Sequence, residues 1–212
     1  MKTKNSFFLI AFLFCATGSF AQLGIKAGVN MANEIKSFSQ QAIADGFSTK
    51  NLTGYQIGLT YQAMPKNSGL GCEVGVLLSQ KGSSFRDTTL IANIKQGYRE
   101  LNYVEVPFNL RYRLTLGFIG VYGTAGIYGG YALSGKTVDE ISNNIQGETF
   151  NSVMDHVDYG YNLGAGVELF KKIQLGATWS QGLKNTANIN AGLPTPTTAS
   201  NRVFSVNLVY LF

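Results

Sequence analysis

The chain's single histidine, His156, stands close to Ser152 and Asp155. A histidine, a hydroxyl and a carboxylate can act together as base, nucleophile and orienting acid, the chemistry of a lipid-modifying hydrolase or acyltransferase. All three lie in one polar segment, where a lone histidine is more simply solvated, so no catalytic residue is assigned. Asp139, Glu140, Glu148 and Asp155 are too widely spaced for a metal motif, and neither metal nor cofactor is expected. The glycines from Gly123 to Gly130 lack the strand-to-helix setting in which glycine turns hold phosphate.

A second set of charges is more informative. Lys26, Glu73, Glu105, Arg111, Arg113, Asp158 and Glu168 all fall on the polar side of alternating apolar and polar segments. If that side is enclosed, these charges must pair or bind water. An internal salt-bridge network is the favoured reading, and a narrow ion path through the same residues is the alternative.

The segments that position them alternate with a period of two, the signature of β-strands. Eight strands are predicted: 23–31, 52–63, 69–80, 99–114, 118–133, 157–169, 173–182 and 203–212. Leu23, Ile25, Ala27, Val29 and Met31 oppose Gly24, Lys26, Gly28 and Asn30, giving each strand one apolar face and one of glycine, amide and charge. The connections at 32–51, 81–98, 134–156 and 183–202 are long and alternate with short ones at 64–68, 115–117 and 170–172. That rhythm suits an eight-stranded antiparallel up-and-down transmembrane β-barrel of all-β class, with short periplasmic turns and long extracellular loops.

Three features turn the apolar face towards lipid. The polar face is dominated by small and amide residues, which suit the narrow interior of such a barrel, and only 14% of residues are charged. Aromatic residues gather at two levels: Tyr55, Tyr131, Tyr159, Trp179 and Phe204 towards the outer rim, and Tyr61, Tyr112, Phe118, Phe170, Tyr210 and Phe212 towards the inner. Amphipathic rings favour headgroup depth. The last strand ends on Phe212 behind Phe204, Val206, Leu208 and Tyr210, a pattern expected to be read by outer-membrane assembly machinery.

At the other end, Lys2 and Lys4 precede an apolar run from Phe7 to Phe14 and a Ser19-Phe20-Ala21 junction. This predicts a cleaved signal peptide over 1–21 and a single barrel domain over 22–212. Removing the leader leaves Cys72 as the only cysteine, so a fold without a disulfide is expected. It also leaves 15 basic against 12 acidic residues, a mild and scattered excess that excludes a nucleic-acid partner.

The segment Tyr103-Val104-Glu105-Val106-Pro107-Phe108-Asn109-Leu110-Arg111-Tyr112, followed by Gly123 to Tyr131, resembles the PorT-like outer membrane protein beta-barrel family of Bacteroidetes. The opening Leu23-Gly24-Ile25-Lys26-Ala27-Gly28-Val29-Asn30 is similar too. The resemblance implies a barrel in the cell outer membrane, of the kind called porin-family, with one branch linked to protein secretion and gliding. Pro107 cannot donate to a ladder, and a bulge is expected there. The functional expectation is a non-enzymatic barrel in outer-membrane lipid, with a structural or interaction role, long extracellular loops and a packed polar lumen. Its alternatives are a narrow porin-like channel and, behind that, the lipid-modifying enzyme. An extracellular or envelope protein partner is expected at the loops, without identification.

Overall fold

The computed structural model describes residues 21–37, 48–65, 69–87, 95–139, 144–147, 156–184 and 198–212. Residues 1–20 of the predicted signal peptide, Ser152 and Asp155 lie outside these. The described strands are β1 (Ala21–Ser37), β2 (Ser48–Ala63), β3 (Leu70–Asp87), β4 (Lys95–Leu116), β5 (Ile119–Asp139), β6 (Asn144–Gly147), β7 (Val157–Leu169), β8 (Ile173–Gly182) and β9 (Thr198–Leu211).

Each barrel strand pairs with its neighbours antiparallel, β1 pairs with β9, and a β4–β5 ladder joins the two runs of strands. Eight strands thereby close on themselves and leave no ladder edge, the condition for backbone in lipid. The ninth, β6, lies outside this circuit and pairs only with Lys136–Asp139 of β5, so the long 134–156 connection contains a short hairpin that the alternation did not predict.

The period-two pattern decides which way each side chain points. Leu23, Ile25, Val29, Leu59, Leu110, Ile127, Leu163, Val206 and Leu208 are each 45–60% exposed or close to it, while Lys26, Asn30, Thr60, Asn109 and Asn207 between them are buried. The barrel is therefore apolar outside and polar inside, the inverse of a water-soluble barrel. The polar interior is not uniform: Leu77, Val209 and Leu211 also point inward, and Leu101, Tyr103 and Ala132 form a small buried apolar cluster.

Two periplasmic turns show why their residues suit them. Leu116 pairs with Ile119 across Gly117, whose φ of 65° fits a turn geometry that matches strand twist. Phe170 and Lys171 carry φ of 55° and 58°, and Lys172 N–H donates to Leu169 C=O at 3.0 Å, a type I′ turn made without glycine. Phe118 and Phe170 stack with centroids 5.6 Å apart, joining the two turns at the inner aromatic level.

Apart from β7 and β8, the described barrel strands overrun the predicted ones on the loop side. β4 has 22 residues and β5 has 21, against roughly 9–11 needed to cross a bilayer. Beyond the outer aromatic level, Lys136 Nζ meets Glu100 Oε2 at 3.0 Å, and this hydrogen bond raises the lysine pKa.

One expectation is corrected. Pro107 makes no bulge: it pairs with Tyr128 on β5, and on the β3 side Val74↔Phe108 and Leu77↔Glu105 keep one register. The ladder opens across the missing N–H, with the pairs between Val74↔Phe108 and Leu77↔Glu105 skipped. The β4–β5 irregularity falls instead at Asn102/Tyr103, where Leu133 has no partner and both Leu133 and Ser134 face out. The expectation of a fold without a disulfide turns on Cys15, which lies outside the described residues.

Candidate functional site: the lumen

The inward charges gather in two layers. In the layer nearer the periplasmic turns, Arg111 Nη1 donates to Glu73 Oε2 at 2.8 Å, and Nη2 lies 3.8 Å from Glu168 Oε2. Arg113 Nη1 meets Glu168 Oε1 at 2.8 Å, and Lys26 Nζ lies 3.8 Å from Glu73 Oε1. Amides complete the circuit. Gln174 Nε2 donates to Glu168 Oε2 at 2.7 Å, Gln174 and Gln62 exchange bonds of 3.0 and 2.9 Å, and Gln62 Nε2 reaches Glu73 Oε2 at 3.1 Å.

Glu73, Arg111, Glu168, Gln174 and Gln62 thus form a closed ring from β3, β4, β7, β8 and β2. Arg111, Gln62, Gln174 and Glu168 are each no more than 1% exposed. Ion pairs so deep offset their desolvation only when further hydrogen bonds share the charge, which the glutamines provide.

Glycines make the space for this ring. Tyr122, Gly166, Gly176, Asn207, Gly28 and Gln56 occupy one rung around the barrel. A Cβ at Gly166 or Gly176 would meet the Tyr122 ring, and one at Gly28 would meet the Asn207 side chain. Tyr122 lies over the glycine gap, and the Arg111 guanidinium stacks 3.6 Å from its ring centroid.

The second layer lies nearer the outer rim and centres on Lys81. Its Nζ pairs with Glu105 Oε1 and lies 3.4 Å from Asp158 Oδ2. Asn201 Nδ2 and Tyr128 O–H also donate to Asp158 Oδ2, at 3.0 and 3.3 Å. The ammonium sits 4.4 Å from the Tyr128 centroid and 5.3 Å from that of Tyr103. Between the layers, Asn30 donates to Tyr55 C=O, Ser79 Oγ and Gln80 C=O, each at 3.1 Å, and accepts from Ser205 at 2.8 Å.

A cavity of about 30 Å³ remains between the layers, lined in part by Lys26, Gln56, Glu105, Tyr128 and Asn162. That is room for about two water molecules. Among the described residues, Arg111 Nε and Asp158 Oδ1 make no hydrogen bond, while Glu105 Oε1 and Arg111 Nη2 are held by their ion pairs with Lys81 and Glu168. Lumen water is the natural partner for the first two.

All seven charges singled out from the sequence point inward. Glu73, Arg111, Arg113, Glu168 and Lys26 meet in the inner layer, and Glu105 and Asp158 in the outer. The reading missed Lys81, which is 2% exposed and bridges the outer layer, because it ended the third strand at residue 80. Carrying the same alternation one rung further would have found it. Gln62 and Gln174 carried no charge to draw attention.

His156 is engaged structurally: its Nδ1 lies 2.7 Å from Ala132 C=O and its ring stacks on Tyr131 at 4.8 Å. Among the described residues no group of three His, Cys, Asp or Glu side chains could hold a metal ion.

Residues 16–188 match the family described as outer membrane protein beta-barrel domain. The structure is similar to that of the outer membrane protein OprG from Pseudomonas aeruginosa, at 13% identity and a TM-score of 0.50, covering 92% of this chain and 97% of that one. It is also similar to Ail, the attachment invasion locus protein of Yersinia pestis, at 15% identity and a TM-score of 0.46, over 91% and 99% of the two chains. Neisserial surface protein A is similar at 8% identity and a TM-score of 0.47, over 92% and 100%. At these identities the likeness to OprG concerns the fold alone. No curated protein matches the chain in sequence.

Proposed function

This chain belongs to the outer membrane protein beta-barrel domain family and resides in the outer membrane, and from that premise we propose that it is a non-enzymatic, non-conducting barrel that acts through what its outer end contacts. The observation that carries this reading is the closed ring of Glu73, Arg111, Glu168, Gln174 and Gln62. Side chains from five strands meet across the lumen there, and the Lys81 layer lies in series with it. A lumen filled in this way serves stability, and leaves binding to the extracellular side, where loops carried by a rigid scaffold commonly make contacts.

Planar-bilayer recording of the purified protein tests the reading. Silence is expected; discrete openings altered by Arg111 or Glu105 substitution would establish the narrow channel instead. Pull-down through the outer loops then identifies the envelope or extracellular protein partner.

Three finer readings belong to the same proposal. Cleavage of the leader after Ala21 is supported by the Ser19-Phe20-Ala21 junction, and the N-terminal sequence of the mature protein tests it. Recognition by the assembly machinery is supported by Phe212, which is 60% exposed on the outer face of the last strand, its N–H donating to Leu23 C=O at 2.9 Å. The PorT-like assignment is supported by the Tyr103–Tyr112 segment, which supplies Glu105, Pro107 and Arg111 to the lumen.

A further inference from the structure

We infer that the outward face of β7, β8 and β9 at the outer rim binds a phosphate of the glycolipid in the outer leaflet, with Arg202 as the anion contact. Tyr161 pairs with Gln181 and Gln181 with Arg202, so the three form one rung. The next rung towards the bilayer centre carries Leu163, Trp179 and Phe204. A polar rung directly above an apolar one marks headgroup depth.

Arg202 is held at that depth. Its Nε donates to Gln181 Oε1 at 3.1 Å, and its guanidinium carbon lies 5.9 Å from the Trp179 centroid. Gln181 is fixed in turn, its Nε2 donating to Ser200 Oγ and Gly182 C=O, both at 3.1 Å. The side chain is exposed, and among the described residues it forms no salt bridge and its two Nη groups have no hydrogen-bond acceptor. By contrast, Lys136 near the same rim is neutralised by Glu100.

A guanidinium anchored through Nε presents its remaining N–H groups as a fork, which matches two oxygens of a phosphate. The long connections place this rim on the outer side, where the lipid is a phosphorylated glycolipid. Tyr161 and Trp179, edge to face at 5.5 Å, supply an amphipathic wall beside the fork. The site lies outside the lumen and does not depend on whether the barrel conducts.

The test is native mass spectrometry of the folded protein, purified from outer membranes into detergent, titrated with bisphosphorylated lipid A. The same lipid lacking its phosphates, and phosphatidylglycerol, are run in parallel. Arg202→Ala is expected to weaken lipid A binding about tenfold, the effect of losing a hydrogen bond to a charged group. Arg202→Lys is expected to recover part of it, since a point charge lacks the fork.

Equal binding by Arg202→Ala, or equal retention of dephosphorylated lipid A, overturns the site. Equal binding of phosphatidylglycerol overturns the assignment to the glycolipid. A heat-dependent gel shift verifies that each variant is folded; should Arg202→Ala lose it, Gln181→Leu removes the Nε acceptor and is expected to weaken binding about threefold.

Discussion

Arg111 and Glu73 meet diagonally across the β3–β4 ladder, two positions out of register, with Nη1 and Oε2 2.8 Å apart and each almost wholly removed from water. Glu73 also accepts from Gln62, and Arg111 lies against Tyr122, so neither charge depends on a single neighbour. Arg111→Leu leaves Glu73 buried without its strongest partner and is expected to cost about 3–5 kcal/mol. Adding Glu73→Leu is expected to recover part of that loss. Urea unfolding of the refolded barrel in detergent measures both, and an additive double variant would show that the pair is not coupled.

The two lumen layers act in series. Lys81→Ala loosens only the outer layer and Arg111→Ala only the inner, so neither alone is expected to open a pore. The double variant is expected to conduct, in the same bilayer assay in which the wild type is expected to be silent. Openings from Lys81→Ala alone would mean that the inner ring does not seal.

Gly176 faces the Tyr122 hydroxyl so closely that an added Cβ has no room. Gly176→Val must displace Tyr122 from beneath Arg111, at an expected cost of about 1–3 kcal/mol. Combining it with Tyr122→Ala should restore most of the loss. A stability unchanged by Gly176→Val would show that the tyrosine is free to move aside.

On the lipid face, depth sets the penalty. Leu208 lies between the aromatic levels marked by Phe204 and Tyr210, whereas Leu116 sits at the periplasmic turn and is 79% exposed. Leu208→Arg is expected to destabilise the barrel by about 2–4 kcal/mol and Leu116→Arg by about 0–1 kcal/mol. Equal penalties in lipid-vesicle refolding would argue against this placement of the bilayer.

The barrel was legible in the sequence because lipid and lumen impose opposite demands on alternate residues, so Leu23 to Met31 and Val157 to Leu169 announced both strand and facing. β7 and β8 begin and end where the alternation placed them, with one tight turn at 170–172 joining them. The outer ends of the other barrel strands were not legible. Beyond the bilayer both faces meet water, the alternation loses its cause, and Lys81 was lost with the end of its strand. Pro107 was misread for a different reason: the β3–β4 ladder skips its missing N–H without changing register, which only the strand pairing reveals. Among the lumen residues, charge could nominate Glu73 and Arg111. The Gln62–Gln174 exchange depends on side chains 112 residues apart in the chain and has no local mark.

The overrun of β4 beyond the outer aromatic level gives the barrel a raised parapet. From Tyr103 to Lys95, at about 3.4 Å per residue and a tilt of roughly 40°, the strands rise about 20 Å above the lipid headgroups. A partner engaging the outer ends of β3 and β4, at Asp87 and Lys95, is therefore held at a standoff from the membrane. The same partner would have to reach down the outer wall to touch Arg202, so a lipid at the base and a protein at the crest can be bound at once.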